Sequence, residues 1–403
     1  MNPEFTIRPG HRYLTLENAY HLCVALLPFL YIFQMPVLGM SVGTIIILAL
    51  VPYSFLFFVK GMDRFRGGAL FLFLFFYIYL IMRSDMNIVR ILLCVATFIN
   101  IGGMIHGAVK TSKLRKIIET FAIINLVLLI IQILFFYVLK IRLQYVPRGL
   151  VYAEYRESYV FRPLEGLFRP SALFLEPSHF AQYCIYALIS ALFPREGKPK
   201  LKKAAAIAAG CVLTTSGMGI ALTAGVIGWF LLFSKEAHEK KILRIFAIIP
   251  LGLLGLLALS QTTFFATAMQ RIFSNVDGYN AVSGRTHNWN DAIGTMDTYT
   301  LWTGYGDSVN FPLYLAGLAD TIYKYGIICV VLEFFLFLYL CLKSRKNYVI
   351  LGSVCFAFLF VIAHMTNFIT QTFYFGILIA ETFDMAKPAT SGILPADKEE
   401  IAA

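Results

Sequence analysis

The sequence predicts an all-α polytopic membrane protein of about twelve transmembrane helices with two structured outer loops, and two observations carry that reading. Of 403 residues, 59% are hydrophobic and only 14% are charged, with a mean hydropathy of +0.72. A soluble chain carries about 25% charged residues. The apolar residues also fall in long blocks separated by short basic clusters, which is how helices crossing a hydrocarbon core roughly 30 Å thick are written. Soluble, fibrous, disordered and secreted disulfide-rich classes are excluded.

Each long apolar run reads as one helix, because backbone in lipid must satisfy its own polar groups. In chain order the expected spans are Ala19 to Phe33, Val37 to Val59, Ala69 to Met82, Ile91 to Val109, Ile117 to Leu139 and His179 to Phe193. They continue with Ala204 to Thr215, Gly219 to Phe233, Ile242 to Ser260, Gly326 to Leu342, Tyr348 to Met365 and Phe368 to Phe383. The run from Ala204 to Phe233 is too long for one helix and short for two, and Thr214, Thr215, Ser216 and Gly217 are its natural break.

Orientation decides that case. With the N-terminus inside, the inner loops are Lys60 to Gly68, Lys110 to Lys116, Pro194 to Lys203, Ser234 to Lys241 and Lys343 to Asn347; these 39 residues hold 18 of the 34 Lys and Arg. The two halves of the chain agree on sidedness only if it reverses near Ser216, so the positive-inside rule supports the split. Both termini are then expected in the cytoplasm. The polar stretch to Asn18 precedes no small-residue cleavage pattern, so the first helix is expected to remain as an anchor. Residues 1–386 read as a single membrane domain, with outer loops at about 140–178 and 261–325, and residues 387–403 as a disordered cytoplasmic tail.

The formal charge of +11 lies mostly in short connections between apolar blocks, where it sets orientation and makes no patch for nucleic acid. All seven cysteines sit inside apolar segments without a CxxC pair, which supports neither a disulfide framework nor a zinc site. There is no phosphate loop, dinucleotide fingerprint, HExxH or DxD, so a cytoplasmic nucleotide-using enzyme is not expected.

The basic residues differ in kind between the two faces. Inner loops hold 13 Lys to 5 Arg, whereas the outer segments carry Arg83, Arg90, Arg142, Arg148, Arg156, Arg162, Arg169, Arg271 and Arg285 against only Lys140 and Lys324. A guanidinium presents a rigid fork of donors matched to phosphate oxygens. The alternative is that these arginines pair with Glu154, Glu157 and Glu165 or with lipid headgroups.

Two stretches concentrate chemistry. In Phe168 to Ala181, Arg169, Glu176 and His179 stand just before a helix that enters the bilayer, and Glu176-Pro177-Ser178 reads as a helix start. A carboxylate beside a histidine there is a workable general base for a sugar hydroxyl; the plainer reading makes Glu176 a capping carboxylate and His179 an interfacial residue. The second stretch joins Ser283, Gly284, Arg285, His287 and Trp289 to Gly304-Tyr305-Gly306. There Arg285 can hold a diphosphate and Trp289 with Tyr305 can stack on a sugar, although a tryptophan at this depth also serves as an interfacial anchor. At membrane depth lie Glu333, Asn100, His106, Gln132 and Gln371, and Glu333 is expected to be a structural hydrogen-bonding residue.

Arg169-Pro170-Ser171 followed by Glu176-Pro177-Ser178, with Phe180-Ala181, Ser283-Gly284-Arg285, Trp289 and Gly304 with Gly306, resembles the O-antigen polymerase and O-antigen ligase superfamily of bacterial surface polysaccharide assembly. The resemblance implies a GT-C-like helical fold in the bacterial cytoplasmic membrane. It further implies transfer of glycan from an undecaprenyl-diphosphate-linked oligosaccharide to an acceptor glycan on the outer face, without metal or other cofactor. Arg169 and Arg285 match the arginines that bind the donor diphosphate; Glu176 matches the carboxylate of the Glu-Pro-Ser motif. Ser178, His287, Trp289 and Tyr305 are carried as substrate-binding candidates. A flippase and a chain-length regulator are the implied protein partners, beside the lipid bilayer. Ligases tend to carry a His-Asn pair before a Tyr-Leu helix start; here Val309-Asn310 precedes Tyr314-Leu315, which favours a polymerase and leaves the base to Glu176 or His179. The rival readings are a lipid-linked oligosaccharide flippase or other secondary transporter, which wants charges in a central cavity, and a non-enzymatic scaffold, which has no use for outer arginines.

Overall fold

The computed structural model describes residues 15–30, 32–33, 40–59, 64–85, 87–151, 168–194, 198–233, 261, 283–312, 315, 318–343 and 367–383. Within them the helices are α1 (Leu16–Leu30), α2 (Val42–Phe58), α3 (Arg64–Met82), α4 (Ile88–Ile105), α5 (Thr111–Leu139), α6 (Pro177–Leu192), α7 (Leu201–Leu213), α8 (Gly217–Phe233), α9 (Ser283–Gly294), α10 (Thr298–Thr303), α11 (Leu318–Lys343) and α12 (Phe368–Phe383). An antiparallel bridge joins Phe33 to Val151. Helices α4, α5 and α11 are long and apolar enough to cross a membrane unaided; α1, α2, α8, α12 and Gly67–Met82 of α3 are shorter apolar helices. The chain is a multi-pass helical membrane protein.

Boundaries depart from the expected spans where polar ends are satisfied. α5 begins at Thr111 instead of Ile117, because Arg115 and Glu119 in its first turns find partners on α6, α12 and the lysines at 200 and 203. α4 stops at Ile105, and His106 to Val109 turn away from it. α11 starts eight residues before the expected Gly326, which interrupts it at φ 71° and ψ 175°. The expected spans Ile242 to Ser260 and Tyr348 to Met365, and the tail from residue 387, lie outside the described residues.

The expected break in the Ala204 to Phe233 run is a reversal of direction. Lys200 donates its amide to Ala191 O at 2.9 Å at the start of α7, and Phe230 late in α8 meets Phe193 at 5.4 Å. Between them Thr215 takes φ 55°, and an added Cβ on Gly219 would fall 2.7 Å from Ala181 Cβ near the other end of α6. Thus α7 climbs along α6 and α8 descends along it.

One end of the bundle gathers the lysine-rich connections. Glu17 at the start of α1 pairs with Lys110 at 2.7 Å and Lys113 at 3.0 Å. Glu381 near the end of α12 accepts both arms of Arg115, at 2.6 and 2.8 Å, and the Tyr186 hydroxyl at 2.7 Å. The start of the first helix and the end of α12 therefore share a face with the basic loops. At the opposite end lie the α3–α4 turn, the tip of α5 and the segments that carry the candidate site.

Candidate active site

The first chemical stretch hangs from two amide side chains on α5. Gln132 Oε1 accepts the amides of Ser171 at 3.2 Å and Ala172 at 2.9 Å, and its Nε2 donates to Leu143 O at 3.1 Å and Ala172 O at 3.5 Å. Two turns toward the basic end, Asn125 Oδ1 accepts from Leu173 N at 3.3 Å. Buried backbone without water must find such partners. Because Gln132 stands seven residues short of Leu139, the loop lies roughly 10 Å beneath the tip of α5. The segment leaving α5 also dips inward, since Tyr145 donates its hydroxyl to Leu128 O at 2.9 Å. The stretch is therefore recessed.

Apolar residues pin this loop and leave its polar ones at the opening. Phe168 stacks on Phe136 at 4.2 Å, Phe174 packs with Phe29, Phe121, Phe180 and Tyr183, and Leu175 joins Ile32, Val146 and Val151. Arg169, Glu176, Ser178 and His179 are each half-buried. Pro177 occupies the first turn of α6, where its missing N–H costs nothing, and Glu176 is the residue before it. The Glu176 side chain makes no capping hydrogen bond; only its carbonyl serves the helix, accepting from His179 N at 3.1 Å and Phe180 N at 3.2 Å. Glu176 does occupy the N-cap position that the plainer reading expected, without a side-chain hydrogen bond to the first turn.

The second stretch folds as a short helix, a turn and a crossing. Ser283 to Thr286 form the first turn of α9, and the Arg285 side chain lies outside the described residues. His287 faces Asp291 one turn on at 3.4 Å, both exposed, and Trp289 is half-buried. Tyr305 is held on both sides: its hydroxyl donates to Thr295 O at 3.0 Å and its ring packs on Tyr323 at 4.8 Å. The Gly-x-Gly turn crosses the beginning of α11, with Tyr305 N on Tyr323 O and Gly306 N on Lys324 O, both at 2.9 Å. Gly304 at φ 74° and Gly326 at φ 71° lie where the two segments cross: a Cβ on Gly304 would run into the Lys324–Tyr325 backbone, and one on Gly326 into Trp302 and Gly304 N. Glycine is needed here for that approach.

The outer arginines Arg83 and Arg90 are engaged by protein. Arg90 pairs with Asp307 and donates to Tyr325 OH, which itself donates to Asp307, and its guanidinium lies 5.4 Å from the rings of Tyr325 and Phe368. Arg83 donates to Gly304 O and accepts the Asp307 amide on its carbonyl at 3.1 Å. Asp85 accepts the Ser308 amide at 3.1 Å, and the Ser308 hydroxyl and amide hold its carboxyl below the usual range. Arg90 is thus committed to an acid, Asp307, and Arg83 to a backbone carbonyl, while the expected partners Glu154, Glu157 and Glu165 lie outside the described residues.

Arg169, Glu176, Ser178 and His179 thus all lie on the half-buried segment that runs from the α5 amides into α6. His287, Trp289 and Tyr305 belong to a second unit built on α9 to α11 and fastened to the α3–α4 turn. Sequence reasoning noted Gln132 only as a polar group at depth and passed over Asn125; the signal was their spacing of seven, which puts both amides on one face of α5. It expected Glu333 to hydrogen bond, whereas both its carboxyl oxygens are buried without a partner.

A family model described as O-antigen ligase matches residues 204–325. The match takes in α7, α8, the Ser283 to Trp289 stretch, Gly304 to Gly306 and the start of α11, under a third of the chain, and it stops short of Arg169 to Ala181. It supports the likeness to the O-antigen ligase and polymerase superfamily read from the motifs. No curated protein matches the chain.

Proposed function

We propose that this protein is a polysaccharide repeat-unit polymerase of the bacterial cytoplasmic membrane, with both termini in the cytoplasm. It moves glycan from an undecaprenyl-diphosphate-linked donor to an acceptor glycan on the outer face, in O-antigen, capsule or exopolysaccharide synthesis. The observation that supports the reading is the recessed loop, whose backbone is held by Gln132 and Asn125 and which carries Arg169, Glu176, Ser178 and His179, each half-buried. The family match over residues 204–325, which covers the second stretch, supports the same class of chemistry.

In this mechanism the acceptor hydroxyl oxygen bonds to the anomeric carbon as the bond from that carbon to the diphosphate oxygen breaks, inverting the carbon. The hydroxyl proton passes to Glu176 or His179, and the electron pair leaves with the diphosphate. Arg169 and Arg285 stabilise the charge that develops there, where fixed charged donors act most strongly. Trp289 and Ser178 contact sugar, while His287 with Asp291 lies on the water side of α9. No metal takes part in this scheme.

The second reading is a ligase, which the description of the matching family favours. The size profile of carrier-linked glycan separates the two. A strain carrying Glu176→Gln should accumulate single lipid-linked units open to an external glycosidase, and short glycan should still reach the final acceptor. Long polymer stranded on the carrier would assign the ligase, and units shielded from the glycosidase would assign a flippase. Arg169→Lys and Arg285→Lys keep the charge and lose the fork, and should cost about 30-fold to 1,000-fold in transfer; Arg148→Lys serves as a mild control.

A further inference from the structure

Three glutamates are buried among the described residues, and two of them are fully served. Glu119 accepts from Ser190 at 2.6 Å, Lys203 at 2.7 Å and Lys200 at 3.1 Å, and Glu381 is held by Arg115 and Tyr186. Both lie at the basic end of the bundle. Glu333 is 1% exposed on α11, ten residues and roughly 15 Å from Lys343 at that end. Its two carboxyl oxygens are sealed from solvent, and among the described residues neither has a hydrogen-bond partner.

Among the described residues, the groups around it do not offer a counter-charge. On α3, Tyr77 lies within electrostatic reach of Glu333 and of Cys94 on α4, but it donates its hydroxyl to Gln371 Oε1 of α12 at 2.9 Å. On α11 itself, Cys329 stands one turn away. Arg90, toward the outer end, is committed to Asp307 and Tyr325. An ionised carboxylate here would have lost its water without gaining a donor or a cation, which makes it much the costlier of the two forms in hydrocarbon. A carboxylic acid bears no net charge and loses far less. The side chain is too deep for snorkelling to relieve it.

We propose that Glu333 is a proton-binding site inside the membrane, a carboxylic acid that keeps its hydrogen at neutral pH between α3, α11 and α12. This site is separate from the Arg169 to His179 opening and does not depend on the assignment made there.

Infrared difference spectra of the full-length protein in liposomes test it without requiring any reagent to reach the site. At pH 7, wild type minus Glu333→Gln should show the carbonyl band of a protonated carboxylic acid, and Glu333→Asp should retain that band at a shifted frequency. At alkaline pH, Glu333→Gln, which keeps the shape and cannot ionise, should melt at or above wild type. Carboxylate bands in place of the acid band would overturn the proposal. So would loss of the acid band on adding sodium at constant pH, which would make the occupant a metal cation. A Glu333→Gln protein that melts below wild type at alkaline pH would also overturn it.

Discussion

Gln132 is the hinge of the recessed loop, and Gln132→Leu measures how much that loop depends on it. Ser171 and Ala172 are each 2% exposed, so removal of Oε1 strands two amides away from water. An unsatisfied buried donor costs roughly 1–3 kcal/mol, which gives about 2–6 kcal/mol for the pair. A multi-helix bundle meets a local penalty of this kind most cheaply by letting the loop lift from α5, where water can reach the amides. At about 1.4 kcal/mol per factor of ten, the lower bound shifts the loop roughly 30-fold toward the open form. Glycan transfer is therefore expected to fall, and a cysteine at Ser171 should become more reactive to a membrane-impermeant thiol reagent by up to about the same 30-fold. Gln132→Glu keeps the acceptor and loses the donor to Leu143 O, so it should fall between leucine and wild type. Wild-type transfer together with unchanged labelling at position 171 in Gln132→Leu would refute the reasoning.

Three further outcomes are expected. Gly304→Ala and Gly326→Ala should each lower the melting temperature, since positive φ with ψ near 170° costs a non-glycine residue on the order of 1–3 kcal/mol and the added Cβ has no room; Gly228→Ala, with nothing within 4 Å, should be neutral or stabilising. Asp307→Asn leaves the Arg90 guanidinium, 16% exposed, without its counter-charge and should destabilise by about 1–3 kcal/mol. A double-mutant cycle with Arg90→Leu should then show a coupling of at least about 0.5 kcal/mol, and strict additivity would dismiss the ion pair. A cysteine at Ser308 should be labelled from outside intact cells and one at Lys198 should not, because the first lies at the α3–α4 end and the second at the basic end; the reverse pattern would invert the orientation.

The fastening of the second stretch gives the family-matched region a physical role. Residues 303 to 308 are tied to the α3–α4 turn through Arg83, Asp85 and Arg90, and Tyr79 donates to the carbonyls of Thr303 at 3.2 Å and Tyr325 at 2.6 Å. Helices outside the matched region thus hold the turn on which α9 and α10 depend. Substitutions at Arg90 or Asp307 are expected to act through this geometry, without contact to the glycan.

What the sequence determined by itself was the set of local facts that lipid imposes. An apolar run has to become a helix wherever its backbone leaves water, so Phe368 to Phe383 and the two helices flanking Ser216 were legible at nearly their observed bounds. Charge placement was equally local, and it grouped Lys110, Lys113, Lys200 and Lys203 on one face, where Glu17 and Glu119 meet them. Only the tertiary structure decided which polar groups find each other, because a buried hydrogen bond joins whatever packing brings within 3.5 Å, at any separation in the chain. Gln132 and Ala172 are 40 residues apart, Arg90 and Tyr325 are 235 apart, and Arg115 and Glu381 are 266 apart. For the same reason the sequence could place Glu333 at depth but not reveal that the bundle closes around it without a partner.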